Sequence, residues 1–435
     1  MQGENLDITP EENSRLLTVL KNPKFLLLWS GQIFSQLADK IYLVLMVAIL
    51  SRDFSIDGDG ISSWVSAIMI AFTLPAVFFG SVAGVYVDRW SKQSVLVGSN
   101  LIRGLLVLMI PALIHLSQGQ KIFSQVPLGF GLLLIITFLV STLTQFFSPA
   151  EQAIIPLIVE RSRLLAANSL YTSTMMVAIN CRFCPRQPLL SWSEQQLNNG
   201  QEILVGSSYL IAGLILLTLI TREKQADLAQ DEKHPLEDIK DGIAYLNTNL
   251  PVRNAIIQLI LLFSIFAALA VLAVPLAAAI PTIEPDQFGL LLSGAGLGMG
   301  IGAFALGNWG HNFRYSKLSF YGGIGVSIAL AMLGLVGEQS LYLTLSIISF
   351  LGLTAALVVI PMQTTIQVRT PEQMRGKVFG LQNNAVNIAL SLPLAIAGIA
   401  AANFGLTAVL LTLAAITLGC TLLLSKKIET TNQHS

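Results

Sequence analysis

Twelve predominantly apolar stretches take up most of this chain: residues 25–50, 63–87, 93–114, 128–147, 165–190, 206–220, 255–280, 288–306, 318–336, 341–361, 378–402 and 405–424. About 20 such residues in a helix cross the roughly 30 Å hydrocarbon layer of a bilayer. Lipid offers the backbone no hydrogen bonds, so a segment of this kind must satisfy its own amides as a helix. Only 11% of the 435 residues are charged and 53% are hydrophobic, against about 25% charge in an ordinary soluble domain. The expected fold class is an all-α membrane protein of twelve transmembrane helices.

The basic residues set the expected orientation. Of 25 lysines and arginines, 19 fall on the side that holds both chain ends and five alternate loops, two (Arg52 and Lys121) fall on the other side, and four lie within spans. The positive-inside rule then puts both termini in the cytoplasm. The acidic first 24 residues have no basic leader and no small-residue cleavage site, so an uncleaved chain is expected. The longest polar stretch, 221–254, separates two sets of six spans. This gives a cytoplasmic segment 1–24, a six-helix bundle 25–220, a linker 221–254, a second bundle 255–424 and a tail 425–435. Leu236, Ile239, Ile243 and Leu246 repeat at helical spacing and predict a packed surface helix within the linker.

Several functions lack the material they need. A formal net charge of zero gives no basic field for nucleic acid. Three cysteines make no disulfide framework, and His115, His234, His311 and His434 all fall at span ends, in loops or in the tail, leaving no metal or nucleophile–base set at membrane depth. No enzyme activity and no cofactor are expected. The run GAGLGMGIG (294–302) follows no strand and lacks a Gly-Lys-Ser/Thr, so it reads as close helix packing rather than a phosphate loop.

The two halves repeat. GVYVDRWSK (84–92) follows the second span and GHNFRYSK (310–317) the eighth, sharing Arg-aromatic-Ser-Lys at Arg89 and Arg314. PAEQAIIPLIVERSRLLAAN (149–168) follows the fourth span and PMQTTIQVRTPEQMRGKVFG (361–380) the tenth. Aligning Pro149 with Pro361 superimposes Glu160 on Glu372 and Arg163 on Arg375. Parallel six-helix repeats are one architecture of secondary transporters. With Gly84-x-x-x-Asp88-Arg89-x-x-Lys92, Pro149-Ala150, Ala167-Asn168-Ser169 and Arg375-Gly376-Lys377, the chain resembles the major facilitator superfamily, and within it the macrolide-efflux-like branch of drug:proton antiporters. The resemblance implies a monomer in the cell membrane that exports a hydrophobic or amphipathic small molecule against a proton or another coupling ion. A non-transporting sensor on the same scaffold is the alternative.

The Gly84 motif predicts a conformational latch. Glycine lets helices approach closely, Asp88 with Arg89 or Lys92 can link bundles by charge, and Arg314, Lys317 and Arg375 are the counterparts in the repeat and after the tenth span.

Inside the spans, Asp39 and Arg103 are ionisable groups that cost about 2.5–3.5 kcal/mol each to insert. A carboxyl in a low-dielectric cavity suits proton coupling, and a static ion pair between Asp39 and Arg103 or Lys40 is the competing arrangement. Gln36, Gln145 and Asn384 are further candidates for the cavity.

One stretch departs from the pattern. VAINCRFCPRQPLL (177–190) puts Cys181, Arg182, Cys184, Pro185 and Arg186 where the fifth span needs small apolar residues. Arginines lining the cavity for an anion, or a redox Cys-x-x-Cys, are possible readings. A third is a compensated pair of frameshifts over residues 179–187: shifting one base turns a plausible coding of Ile179–Pro188 into Leu-Ile-Val-Gly-Phe-Ala-Leu-Gly-Asn-Pro, which would leave the present product inactive. The nucleotide sequence distinguishes them.

Overall fold

The computed structural model describes residues 16–54, 60–122, 126–180, 199–221, 235–283, 285–336 and 340–433. Cys181, Arg182, Cys184, Pro185 and Arg186 lie outside them.

Among the described residues, thirteen long helices follow a short turn at Leu16–Val19. In the first half these are α1 Pro23–Asp53, α2 Gly60–Arg89, α3 Lys92–Leu116, α4 Leu128–Ile158, α5 Leu164–Asn180 and α6 Gly200–Leu217. The linker contributes α7, Pro235–Thr248. The second half supplies α8 Leu250–Ala279, α9 Gly289–Trp309, α10 Tyr315–Val336, α11 Leu341–Arg369, α12 Arg375–Phe404 and α13 Leu406–Gln433. Ten of them are long and apolar enough to cross a membrane, and α5 and α12 complete the twelve-helix arrangement. Large apolar side chains such as Phe78, Leu214, Ile301 and Leu335 stand exposed on the outside, as lipid contact requires.

Local chemistry starts the helices. Asn22 accepts hydrogen bonds from the amides of Lys24 and Phe25, with Pro23 at the first helical position of α1, a cap that satisfies amides the helix itself cannot. Ser91 caps α3 and Asn249 caps α8 in the same way. Between α12 and α13 the chain reverses at Gly405, whose φ of 84° favours glycine.

The repeat is visible in the packing. In the first half α3 packs on α4 and α6, and α4 on α2; in the second, α10 packs on α11 and α13, and α11 on α9. Adding seven to each first-half label gives its second-half equivalent. The halves meet through α2 against α12 and, in the equivalent place, α5 against α9. The glycine run packs as expected: a methyl group on Gly298 or Gly302 would strike the backbone of α11 at Ser349 or Leu353, and Gly352 of α11 lies against the Ala295 carbonyl.

Several span ends differ from the sequence reading: α6 starts at Gly200 rather than 206, α8 at Leu250 rather than 255, and α13 runs on to Gln433 rather than 424. The fourth span, expected to stop at 147, continues as α4 to Ile158; the tenth, expected to stop at 361, continues as α11 to Arg369; and the eleventh begins at Arg375 rather than 378. Pro149 and Pro361, read as the ends of spans, lie inside helices, because neighbouring helices and side chains re-satisfy backbone groups freed by proline in a bundle. Beyond the extensions come matching single turns, Arg161–Arg163 and Glu372–Met374. The consequence is that Glu151 lies within a helix and inside the protein.

Candidate functional site

The first site is built on α1. Gln32, Ser35, Asp39 and Tyr42 are spaced three and four apart and so share one face of the helix. From α3, Arg103 reaches across with its side chain fully buried. Its guanidinium donates to Asp39 Oδ1 at 3.0 Å, Thr144 Oγ1 at 3.2 Å, Ser35 Oγ at 3.2 Å, Asn100 Oδ1 at 2.8 Å and the Ser99 carbonyl at 3.3 Å. The rings of Phe147 and Tyr209 flank it at 4.7 and 4.6 Å from their centres. Tyr209 of α6 also donates to Asp39 Oδ1 at 2.6 Å. A buried cation is tolerable when hydrogen bonds replace the water it has lost, and here every arm of the fork is engaged. Asp39 keeps about a quarter of its side chain exposed.

Gln36 is half-buried and makes no side-chain hydrogen bond with the described residues. Gln145 and Asn384 belong instead to a polar seam between the halves. Asn383 and Asn387 of α12 donate to Gln145 Oε1 at 3.0 and 3.3 Å, and Ser148 donates to Asn383 at 3.1 Å. Asn384 donates to Ser81 at 2.8 Å. Gln363 of α11 donates to Gln152 at 2.8 Å, and Asn168 of α5 donates to Thr364 at 2.9 Å and Gln367 at 2.7 Å. Among the described residues, the hydrogen bonds between halves run from the face that holds the chain ends, here called the terminal face, to about mid-depth.

The second site closes that face. A side-chain carbon on Gly84 would collide with the Gly376 carbonyl and the Gly380 Cα, so α2 and α12 cross backbone to backbone. Asp88, one turn further along α2, accepts the amides of Gly376 and Lys377, the latter at 2.8 Å. These amides belong to the first turn of α12, where a helix has unsatisfied donors and the positive end of its dipole. Asp88 is thus a helix cap supplied from the opposite bundle.

The linker finishes the clamp. Asp238 of α7 receives Arg89 of α2 at 2.5 Å on one oxygen and Lys377 of α12 at 2.8 Å on the other. Burial pushes its carboxyl up, but the hydrogen bonds from Lys377 and Arg89 prevail and hold it below its ordinary value of 3.8. The packed linker helix foreseen from the sequence therefore carries a charge that joins both halves. Lys92 donates to the Asp88 carbonyl at 3.3 Å.

The repeat-equivalent residues do not form a second clamp. Phe313 stands where the first half has Asp88, and Arg314 and Lys317 make no side-chain hydrogen bond or ion pair with the described residues. A methyl group on Gly310 would meet the side chain of Leu165, where Gly84 meets backbone. Arg375 brings its chain position to the clamp rather than its side chain, whose Nε is buried without a partner. Sequence reasoning missed Asp238, Tyr209 and Glu151, and took Lys377 only as part of a motif. Asp238 sits among many linker acids and Tyr209 in an ordinary apolar span, so neither had a local signal. Glu151 had one, an acid in an apolar helical run, hidden by ending the span too early.

Residues 15–435 match the family model described as transmembrane secretion effector. The chain belongs to this family of major facilitator transporters. Over 266 residues it is 23% identical to macrolide efflux protein A of Streptococcus pyogenes, a match covering 61% of this chain and 60% of that protein, so the chain spans less than two thirds of that relative. The fold is that of solved facilitators. The human organic anion transporter MFSD10 (TETRAN) superimposes with a TM-score of 0.67 at 15% identity, covering 92% of this chain and 99% of that one. A bacterial homologue of the iron transporter ferroportin gives 0.68 at 15% identity, with 92% and 97% covered. The chain is a multi-pass membrane protein of the facilitator family, as its sequence motifs implied.

Proposed function

We propose that this transporter exports a hydrophobic or amphipathic small molecule in exchange for protons, by alternating access, with both chain ends in the cytoplasm. The observation that carries the reading is the Asp88 clamp. It consists of hydrogen bonds and ion pairs between rigid bundles, which can break and reform as a unit while each apolar bundle core stays intact. In the present arrangement the clamp and the polar seam join the bundles on the terminal face, which on this topology is the cytoplasmic one.

The Asp39–Arg103 pair gives the first bundle a fixed internal charge centre whose carboxylate keeps an accessible edge. Gln36 lies one turn from it, and Gln145 and Asn384 line the seam that separates when the bundles rock. The name of the streptococcal relative supports a macrolide-sized amphipathic substrate. In the cell membrane the protein works as a monomer that needs no nucleotide or metal.

The test is flux in proteoliposomes. With an imposed proton gradient, a radiolabelled macrolide is expected to accumulate on the acidic side and to leak back when an uncoupler is added. Accumulation that ignores the gradient would remove the proton from the mechanism, and its absence for macrolides and other amphipathic drugs alike would favour a non-transporting sensor.

A further inference from the structure

Glu151 of α4 is a second buried acid, and it lacks the partners that Asp39 has. Its residue is 6% exposed, and its Oε1 has no hydrogen bond. It lies one turn beyond Phe147 and two beyond Thr144, on the α4 face that meets Arg103, yet the guanidinium directs its hydrogen bonds to Asp39, Asn100, Ser35, Thr144 and Ser99 and none to Glu151. Tyr171 of α5 lies beside Glu151, its buried hydroxyl facing the carboxyl and no other partner. On α1 both amide atoms of Gln32 are buried and unpartnered as well.

Glu151 and Tyr171 are each seven residues inside the terminal-face end of their helix and Gln32 nine, or about 10 and 13 Å at 1.5 Å per residue. Trp29 of α1 donates to Thr174 of α5 at 2.8 Å, tying those helices together at this level. Unsatisfied buried polar atoms are few in native proteins, and each calls for an explanation.

The titratable and charged groups that face Glu151 are Asp39 from α1, Arg103 from α3 and Tyr171 from α5. Along the rest of α4, α2 contributes Phe79 and Tyr86, and α11 and α12 contribute the neutral Gln363, Asn383 and Asn387. An ionised carboxylate taken from water without a bonded cation is costly, and adding a proton removes that cost. Glu151 also adjoins the moving interface, because Ser148 and Gln152 on the neighbouring stripe of α4 bond to α12 and α11.

We propose that Glu151 is the residue that carries the coupling proton, positioned by Tyr171, while Asp39 keeps its pair with Arg103. Its carboxylate takes up one proton to become the neutral acid, holds it while the terminal face is closed, and returns it to water when α4 and α5 part from α11 and α12. This deepens the proton-exchange reading and rests on it.

The decisive measurement needs no substrate: infrared difference spectra of the purified full-length protein in lipid nanodiscs, titrated from acid to alkaline pH. Among the carbonyl stretches of protonated carboxylic acids, the unaltered protein should show one component that is missing from Glu151→Gln, persists in Asp39→Asn and returns with a moved midpoint in Glu151→Asp. Tyr171→Phe should keep this component but move its midpoint. Matching elution and melting of Glu151→Gln would establish that it folds. A set of components left unchanged by Glu151→Gln, or loss of this component in Asp39→Asn, overturns the assignment. Macrolide flux in proteoliposomes separates the two levels: gradient-insensitive flux in the unaltered protein defeats the proton-exchange reading, whereas gradient-driven flux that persists in Glu151→Gln defeats only the assignment to Glu151.

Discussion

Asp88 accepts the backbone amide of Lys377 at 2.8 Å, across 289 residues of sequence and from one bundle to the other. The bond uses donors that every helix leaves open in its first turn, so the clamp requires only a carboxylate at the right height on α2 and a close approach, which Gly84, Gly376 and Gly380 provide.

Asp88→Asn should keep the shape while removing the charge and one of the two acceptors. Hydrogen bonds to a charged group contribute about 1.5–3 kcal/mol each, roughly twice the neutral kind, so the closed terminal face should lose about ten-fold or more in population. Spin labels on the terminal ends of α2 and α12 would report this as a longer distance in the substitution. An unchanged distance distribution would mean that the seam alone keeps the face shut.

Arg103 should be the most sensitive residue of the first bundle. Arg103→Gln leaves Asp39 without its cation and five hydrogen bonds unmade, and breaking a buried pair from one side costs about 3–5 kcal/mol. A clear fall in melting temperature is expected. The double substitution Arg103→Gln with Asp39→Asn should recover part of that loss, since no charge remains unpaired; a double variant that melts lower than Arg103→Gln would show that the pair is not what Arg103 stabilises. Arg103→Lys should not rescue, because an ammonium lacks the planar fork that reaches Asp39, Ser35 and Asn100 together.

The docking of the linker should depend on pH in a defined direction. The Asp238 carboxyl is held below its ordinary 3.8 when docked between Arg89 and Lys377, so a docked linker favours the ionised form. The stabilisation is therefore fully present above that ordinary value and is lost as the pH falls through the docked one. From neutrality to mild acid, fluorescence transfer between labels on α7 and α12 should stay constant, with undocking only in strong acid. Asp238→Asn should undock at neutral pH. Loss of transfer in mild acid would point to another titrating group.

The sequence shows those features that arise from local chemistry repeated along the chain. Apolar runs of membrane length located the twelve helices, and Gly84, Asp88 and Arg89, three parts of one short motif, all lie where α2 meets α12 and α7. What stayed hidden was the partner across space. Nothing local distinguishes Asp238 from Glu237 or Asp241, and only the fold brings Arg89 and Lys377 to it. The span ends were misread for a physical reason: Pro149 and Pro361 break helices in water, whereas a packed bundle carries α4 nine residues past the one and α11 eight past the other. That error placed Glu151 in a loop, although Ala153, Ile154 and Ile155 beside it are buried.

The clamp and the seam should act independently. Asn168 is buried and bridges α5 to Thr364 and Gln367 of α11, while Asp88 bridges α2 to α12, and the two ties share no residue. Substitutions without common partners usually add to within about 0.3–0.5 kcal/mol. Asn168→Ala leaves Gln367 with neither amide atom satisfied, because its Nε2 already lacks a partner, and should weaken closure by about 1–3 kcal/mol. Combined with Asp88→Asn, the shift in the spin-label distance populations should equal the sum of the single shifts. A combined effect well below that sum would mean that either break alone frees the whole terminal face, and that the clamp and the seam open as one cooperative unit.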